Sequence, residues 1–167
     1  MQLDRDLVQK ARDGDDEAFL TIMQQYKTDL YKTALAYFRN ENDAIEAVQE
    51  VTFRAYKKIK TLREPAYFKT WIIRIMINYC NDQVRKRKRL VFEQSEIEKT
   101  ETQDNHTRIE LEDAMLELDD QSRELLMLKY FHDLKIKDIA KVLRKPEGTV
   151  KTWLNKALKT LKGTLED

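Results

Sequence analysis

Gly14, Pro65, Pro146, Gly148 and Gly163 are the only glycines and prolines in a chain of 167 residues. A sheet protein of this size needs far more turn residues than that, because tight reversals depend on the backbone freedom of Gly and the fixed φ of Pro. The long breaker-free stretches instead carry apolar residues at three- and four-residue steps. Phe19, Ile22, Met23, Tyr26, Leu30, Ala34 and Phe38 form one such series, and Ala44, Val48, Val51, Ala55 and Ile59 form a second. That period places each series on one face of a helix, so the expected fold class is all-α.

The chain has no apolar run of the roughly 18–20 residues that span a bilayer, and Met1–Asp6 is too polar for a secretory signal. Cys80 is the single cysteine, so an internal disulfide is impossible and a reducing, cytoplasmic setting is expected. The formal net charge of +1 gives no hint of a polyanionic partner. Its distribution does. Residues 1–90 carry 18 basic and 13 acidic groups, and Arg85–Arg89 are five consecutive cations. Residues 91–107 hold one Lys against five acids, and residues 108–124 hold two Arg against seven acids. Residues 129–162 then return to ten basic groups against three acids. Two basic segments are therefore separated by an acidic stretch. Residues 91–107 have no helical stripe and read as a flexible, solvated linker. The expected organisation is a helical domain over 1–90, the linker, and a second helical domain over 108–167.

The faces opposite the apolar stripes carry the candidate chemistry. After Asn40–Asn42, the residues Asp43, Glu46 and Glu50, with Gln49 beside them, project together from one helix. They are either a solvated face or a docking strip for a basic partner. A helix following Pro65 has Phe68, Trp71, Ile72, Ile75, Met76 and Tyr79 as its stripe. Arg74, Asn78, Asp82 and Arg85 line its other side, and it runs into the basic cluster. Five cations exceed what the helix dipole uses at a C-terminus, so a phosphate-contacting surface is the better reading. Tyr56, Tyr67, Phe68 and Trp71 are read mainly as core, although aromatics beside a basic strip also suit stacking of unpaired bases.

The sharpest local pattern is C-terminal. Ile136, Ile139, Ala140 and Leu143 mark a short helix, Arg144–Gly148 a break, and Val150, Trp153, Leu154, Ala157 and Leu161 a longer helix. This is the helix-turn-helix layout, with Lys151, Thr152, Asn155, Lys156 and Lys159 on the exposed face of the helix that would enter the major groove. Catalytic and metal readings find no support. His106 falls in the linker and His132 in an interhelix turn, so neither is read as having a Cys or carboxylate partner on its own helix, Cys80 is read as packed, and no phosphate-binding glycine loop or nucleophile elbow occurs. No catalytic residue, metal, cofactor or small-molecule ligand is expected. From the residues alone, a free-standing helix-turn-helix regulator and a helical adaptor remain open, with a metal nuclease on Asp43, Glu46 and Glu50 as a remote option.

Three stretches, DAIEAVQEVTFRAY at 43–56, FKTWIIRIMIN at 68–78 and PEGTVKT at 146–152, resemble in order and spacing the extracytoplasmic-function group of bacterial RNA polymerase sigma factors. The resemblance covers nearly the whole chain and implies two helical domains, called region two and region four, with no bond chemistry of their own. It implies that Glu46–Ile59, with Asp43, Glu46, Gln49, Glu50 and Phe53, docks on a coiled coil of core RNA polymerase. It implies that the loop Lys60–Tyr67 captures an extruded base of the non-template strand, and that Lys60, Arg74, Asn78, Arg85, Lys86, Arg87 and Lys88 bind the minus-ten promoter element. It implies that the helix-turn-helix, Ile136–Asn155, reads the duplex minus-thirty-five element through Lys151, Thr152, Trp153, Asn155, Lys156 and Lys159. An anti-sigma factor, often membrane-anchored in this group, is a further implied partner, and a stress or envelope-response regulon the implied target. Three positions depart from the family pattern. Trp153 stands where a polar residue is usual, Leu158 where Arg is frequent, and Arg144 where Gly commonly opens the turn, which strains the backbone if that turn is left-handed.

Overall fold

In a computed structural model, residues 4–94 and 106–166 are described, with side chains left aside at 92–94, 106–110 and 112. Every regular element among them is helical. They are α1 (Arg5–Arg12), α2 (Asp16–Phe38), α3 (Glu41–Lys58), α4 (Phe68–Gln94), α5 (His106–Glu117), α6 (Asp120–Leu126), α7 (Ile136–Leu143) and α8 (Glu147–Glu166). Two 3-10 turns, Ile59–Thr61 and Pro65–Tyr67, join α3 to α4, and a single π turn, Met127–Phe131, follows α6. The packing divides into two compact units between Cys80 and Asn81, inside α4. Residues 95–105 of the expected linker lie outside the described residues. The helix α4 continues through the basic cluster to Gln94, four residues past the expected boundary at 90.

In the first unit, local chemistry fixes each helix start. The carboxylates of Asp4 and Asp15 accept from Leu7 N at 3.1 Å and Ala18 N at 3.2 Å, and the Asn40 amide oxygen accepts from Asp43 N at 3.0 Å. Such side-chain caps replace partners that the first helical turn lacks and contribute about 1 kcal/mol each. Gly14, at φ 106°, turns the chain from α1 into α2. The anticipated stripe of α2 is buried at Phe19, Ile22, Met23, Tyr26, Leu30 and Ala34. Against it lie Ala44, Ala47, Val51 and Ala55 of α3, where small residues permit close approach. Phe68, Ile72, Ile73, Met76, Ile77 and Cys80 of α4 complete the core. Phe68 is wholly buried, with its ring 5.4 Å from that of Tyr26, so truncation to Ala costs about 3–5 kcal/mol.

The second unit is organised around a buried cation. Arg123 of α6 is 4% exposed. Its guanidinium donates to the carbonyls of Met115, Leu116 and Leu118 at 2.6–2.8 Å, and so supplies partners to the orphan carbonyls at the end of α5. It also donates to Asn81 Oδ1 at 2.8 Å and Asp120 Oδ1 at 3.2 Å. Asn81 Nδ2, by contrast, is buried without a hydrogen-bond partner, a penalty of about 1–3 kcal/mol. Ala114, Leu118, Leu125, Leu128, Ile139, Ala140, Val150, Leu154 and Ala157 form the apolar interior. Leu111 of α5 is 45% exposed. Asp119 caps α6 by accepting from Ser122 N at 2.8 Å.

Candidate polymerase-docking and nucleic-acid surfaces

Three surfaces emerge from these helices. On α3, the buried Ala44, Ala47, Val51 and Ala55 leave the opposite side free for display. Glu46 and Gln49 are exposed, and Asp43 and Glu50 are half-buried. Glu50 Oε1 accepts from Arg54 Nε at 3.1 Å. Beside the acids runs a column in which Gln49 and Phe53 are expected docking residues, Ile45 is not, and Tyr56 is expected in the core. Ile45 is 49% exposed, Phe53 54% and Tyr56 50%, and with Gln49 they follow one another at steps of four, four and three. Such steps share a helix face. The reading of Tyr56 as core is thereby corrected. Its ring only edges against Phe19, at 5.3 Å between centroids, while its hydroxyl donates to Asp16 Oδ1 at 2.9 Å. That hydrogen bond, ahead of the Asp16 charge, raises the Tyr56 pKa above the ordinary phenol value. An apolar column flanked by carboxylates fits an amphipathic basic partner.

The loop between α3 and α4 and the outer line of α4 form the second surface. The loop is anchored by buried Ile59 and Leu62 and leaves Lys60, Arg63 and Glu64 exposed. Tyr67 and Trp71 are half-buried, while Phe68 is interior. From α1, Arg12 Nη1 donates to the Arg63 carbonyl at 3.3 Å. Along α4, Arg74, Asn78, Arg85 and Lys88 fall on one line by helical spacing, with Asn78, Arg85 and Lys88 exposed and Arg74 half-buried. Lys86 and Arg87 are exposed on other sides of the same turns, and Arg89, four residues after Arg85, is exposed on the line itself.

The third surface is α8. Val150, Leu154 and Ala157 are buried, and Lys151, Thr152, Asn155, Lys156 and Lys159 are all exposed on the reverse face. Trp153 does not join them. It is half-buried at the margin of the buried face, with Lys145 Nζ 6.0 Å from its ring centroid. The turn before α8 is left-handed at Arg144, with φ 59° and ψ 44°. Lys145 N donates to the Ala140 carbonyl at 3.0 Å, which closes α7 as a glycine normally would. Arg144 thus holds the left-handed conformation that strains a non-glycine backbone.

Family models match both halves, sigma-70 region 2 over residues 22–90 and sigma-70 region 4 over residues 108–161. The sigma factor SigV of Bacillus subtilis (strain 168) is 32% identical over 146 residues, covering 86% of this chain and 88% of the relative. The chain belongs to the sigma-70 family. Within that family it is an extracytoplasmic-function sigma factor. The ECF RNA polymerase sigma factor SigW of the same Bacillus strain is 28% identical over 178 residues, covering 96% of this chain and 95% of the relative. The solved structure of CnrH in complex with the cytosolic domain of CnrY shares the fold, with a TM-score of 0.68 and 22% identity, covering 99% of this chain and 98% of that one. The regulator and adaptor readings give way to a sigma factor that directs transcription. No helix among the described residues is long and apolar enough to cross a membrane, and none of their His, Cys, Asp and Glu side chains form a group that could hold a metal ion.

Proposed function

We propose that this sigma factor uses its three surfaces for three separate contacts of transcription initiation. The domain bounds are 1–90 and 108–167, with 91–107 between them. The face of α3 docks on core RNA polymerase, with Asp43, Glu46 and Glu50 opposite basic residues and Gln49, Ile45, Phe53 and Tyr56 supplying contact area. The loop Lys60–Tyr67 receives an unpaired base of the melted non-template strand. A base out of the stack is read by its edges and by stacking, and half-buried Tyr67 and Trp71 stand beside this loop. Lys60, Arg74, Asn78, Arg85, Lys86, Arg87 and Lys88 hold the surrounding phosphates. On the minus-thirty-five duplex, Lys151, Lys156 and Lys159 contact phosphates, while Thr152 and Asn155 reach base edges.

The observation that carries this reading is the division of α8, whose polar side chains are all exposed on one face while Val150, Leu154 and Ala157 are buried on the other. A recognition helix needs that arrangement. Trp153 supports the helix rather than reading bases. The protein performs no bond chemistry, works in the cytoplasm with the polymerase, and joins two modest DNA contacts through one chain, so that together they hold far better than either alone. An anti-sigma factor, membrane-anchored as is frequent in this group, restrains it, and its regulon is a stress or envelope response. The test is reconstituted transcription: added to core polymerase, the protein confers initiation at discrete promoters, and failure to do so refutes the proposal.

A further inference from the structure

Helix α1 packs against both 3-10 turns of the loop between α3 and α4. Its own sequence builds it for that contact. Asp4 caps it by accepting from Leu7 N at 3.1 Å, and Val8 and Ala11 are 0% and 4% exposed. Arg12 lies one turn beyond Val8, half-buried on the margin of that apolar face. Its Nη1 donates to two acceptors, Gln9 Oε1 at 3.4 Å on its own helix and the Arg63 carbonyl at 3.3 Å in the loop. Leu62 and Glu64, on either side of Arg63, are both extended. The Arg63 carbonyl therefore lies where the chain has left the helical bonding of the two turns, and the buried Ile59 and Leu62 anchor only the part of the loop before it.

We infer that Arg12 is a positioning residue for base capture: through the Arg63 carbonyl it fixes the backbone of the Lys60–Tyr67 loop in the shape that receives an unpaired base. The inference rests on the reading of that loop as the base-receiving element. Arg12 acts on the backbone, so its effect does not depend on which side chains the loop presents. Beyond Arg63, Tyr67 N donates to the Glu64 carbonyl at 3.1 Å within the Pro65–Tyr67 turn. Two short links, Arg12 to Arg63 and Glu64 to Tyr67, thus connect α1 to a half-buried ring beside the loop. A loop held beforehand in its bound shape saves the ordering cost that its ligand would otherwise meet. A cation that merely touched strand phosphates would act differently, strengthening binding whether or not the base is present.

The experiment measures, by anisotropy, binding of fluorescent non-template strands to the full chain on core polymerase, the strands being taken from a promoter that reconstituted transcription maps. Each strand of the set lacks one base of the minus-ten region, and its loss of affinity relative to the intact strand reads capture of that base. In the native chain one position is expected to stand out, with a loss of about tenfold. Arg12→Ala is expected to shrink that loss roughly two- to fivefold, the scale of one hydrogen bond. Binding of the strand lacking that base, and the Tm, stay unchanged. Arg12→Lys, which keeps a donor, is expected to retain the native loss; failure to retain it counts against the carbonyl as the target. An unchanged loss in Arg12→Ala, or equal weakening of intact and base-deficient strands, overturns the positioning role while the loop assignment stands. If no position stands out in the native chain, the loop assignment falls and the inference with it. Hydrogen exchange at the amides of Leu62 and Tyr67 reads the loop without DNA: faster exchange in Arg12→Ala supports the brace, and unchanged exchange counts against it.

Discussion

Arg123 Nη1 donates to Asn81 Oδ1 at 2.8 Å, a buried hydrogen bond between residues 42 positions apart in sequence. The same guanidinium serves three carbonyls at the end of α5, so one side chain ties the start of α6 both to the preceding helix end and to α4. Arg123→Met would leave those acceptors buried and unpaired. The expected loss is about 3 kcal/mol, confined to the second unit. Urea denaturation followed by Trp153 fluorescence in a Trp71→Phe background checks it, and an unchanged midpoint would contradict the assigned role.

Two arginines close helices in left-handed conformations, Arg39 at φ 53° after α2 and Arg144 at φ 59° after α7. A side chain there costs about 1 kcal/mol relative to glycine. Arg39→Gly and Arg144→Gly are each expected to raise stability by roughly 0.5–1 kcal/mol after glycine's greater freedom in the unfolded chain is counted. Thermal unfolding of the separate variants decides the matter. A lower Tm for both would mean that the arginine side chains make compensating contacts.

The carboxyl of Asp119 is held below its ordinary value by its hydrogen bonds with Ser122, side chain first and backbone second. A depressed folded-state pKa contributes stability that is fully present above the unfolded value, about 3.9, and is lost as pH falls through the folded value. Asp119→Ala is expected to destabilise the second unit by about 1 kcal/mol near neutrality. The difference from the native chain should then shrink below about pH 4. Denaturation midpoints at pH 7 and pH 3 test this, and a gap that widens in acid would reverse the sign.

Much of this architecture is legible in the sequence because burial and period coincide. The stripe of α2 and the helix pair α7–α8 follow from residue spacing alone. The failures have a common physical origin. Periodicity says that apolar residues share a face but not that the face is covered, so Tyr56 reads as interior when half of it is exposed, and nothing announces the exposed Ile45. Charge says the reverse. Arg123 sits in a stretch with seven acids, where charge gives no sign of burial, although helix-terminal carbonyls bury it. The tail of α4 hides similarly, since five consecutive cations look like a helix end but the helix runs on to Gln94.

The column on α3 makes its own prediction. Ile45 and Phe53 contribute little to the core, so Ile45→Ala and Phe53→Ala should leave thermal stability within about 0.5 kcal/mol of native. As anchors of a docking surface they should each cost up to about 2 kcal/mol in binding, roughly 30-fold in Kd for core polymerase. Glu46→Lys should weaken association chiefly through the on-rate and lose its effect as salt rises. Surface-plasmon measurements at two ionic strengths separate these contributions, and wild-type affinity in all three variants would remove α3 as the interface.

On α8, phosphate contact and support of the helix are separable by salt. Each lysine that neutralises a phosphate releases condensed counterions, so its loss lowers the slope of log K against log salt by about 0.9. Lys151→Ala and Lys156→Ala should each do so on duplex minus-thirty-five DNA, with nearly uniform weakening across sequences. Asn155→Ala should instead relax discrimination at one base pair by about 1–3 kcal/mol with the slope unchanged. Trp153, half-buried beside Lys145, belongs to neither class. Trp153→Ala should cost roughly 1–3 kcal/mol of stability, below the 3–5 of a fully buried Trp, and preserve the ranking of duplex sequences. A changed ranking with stability intact would instead put the indole against the DNA, where it could contact a thymine methyl group.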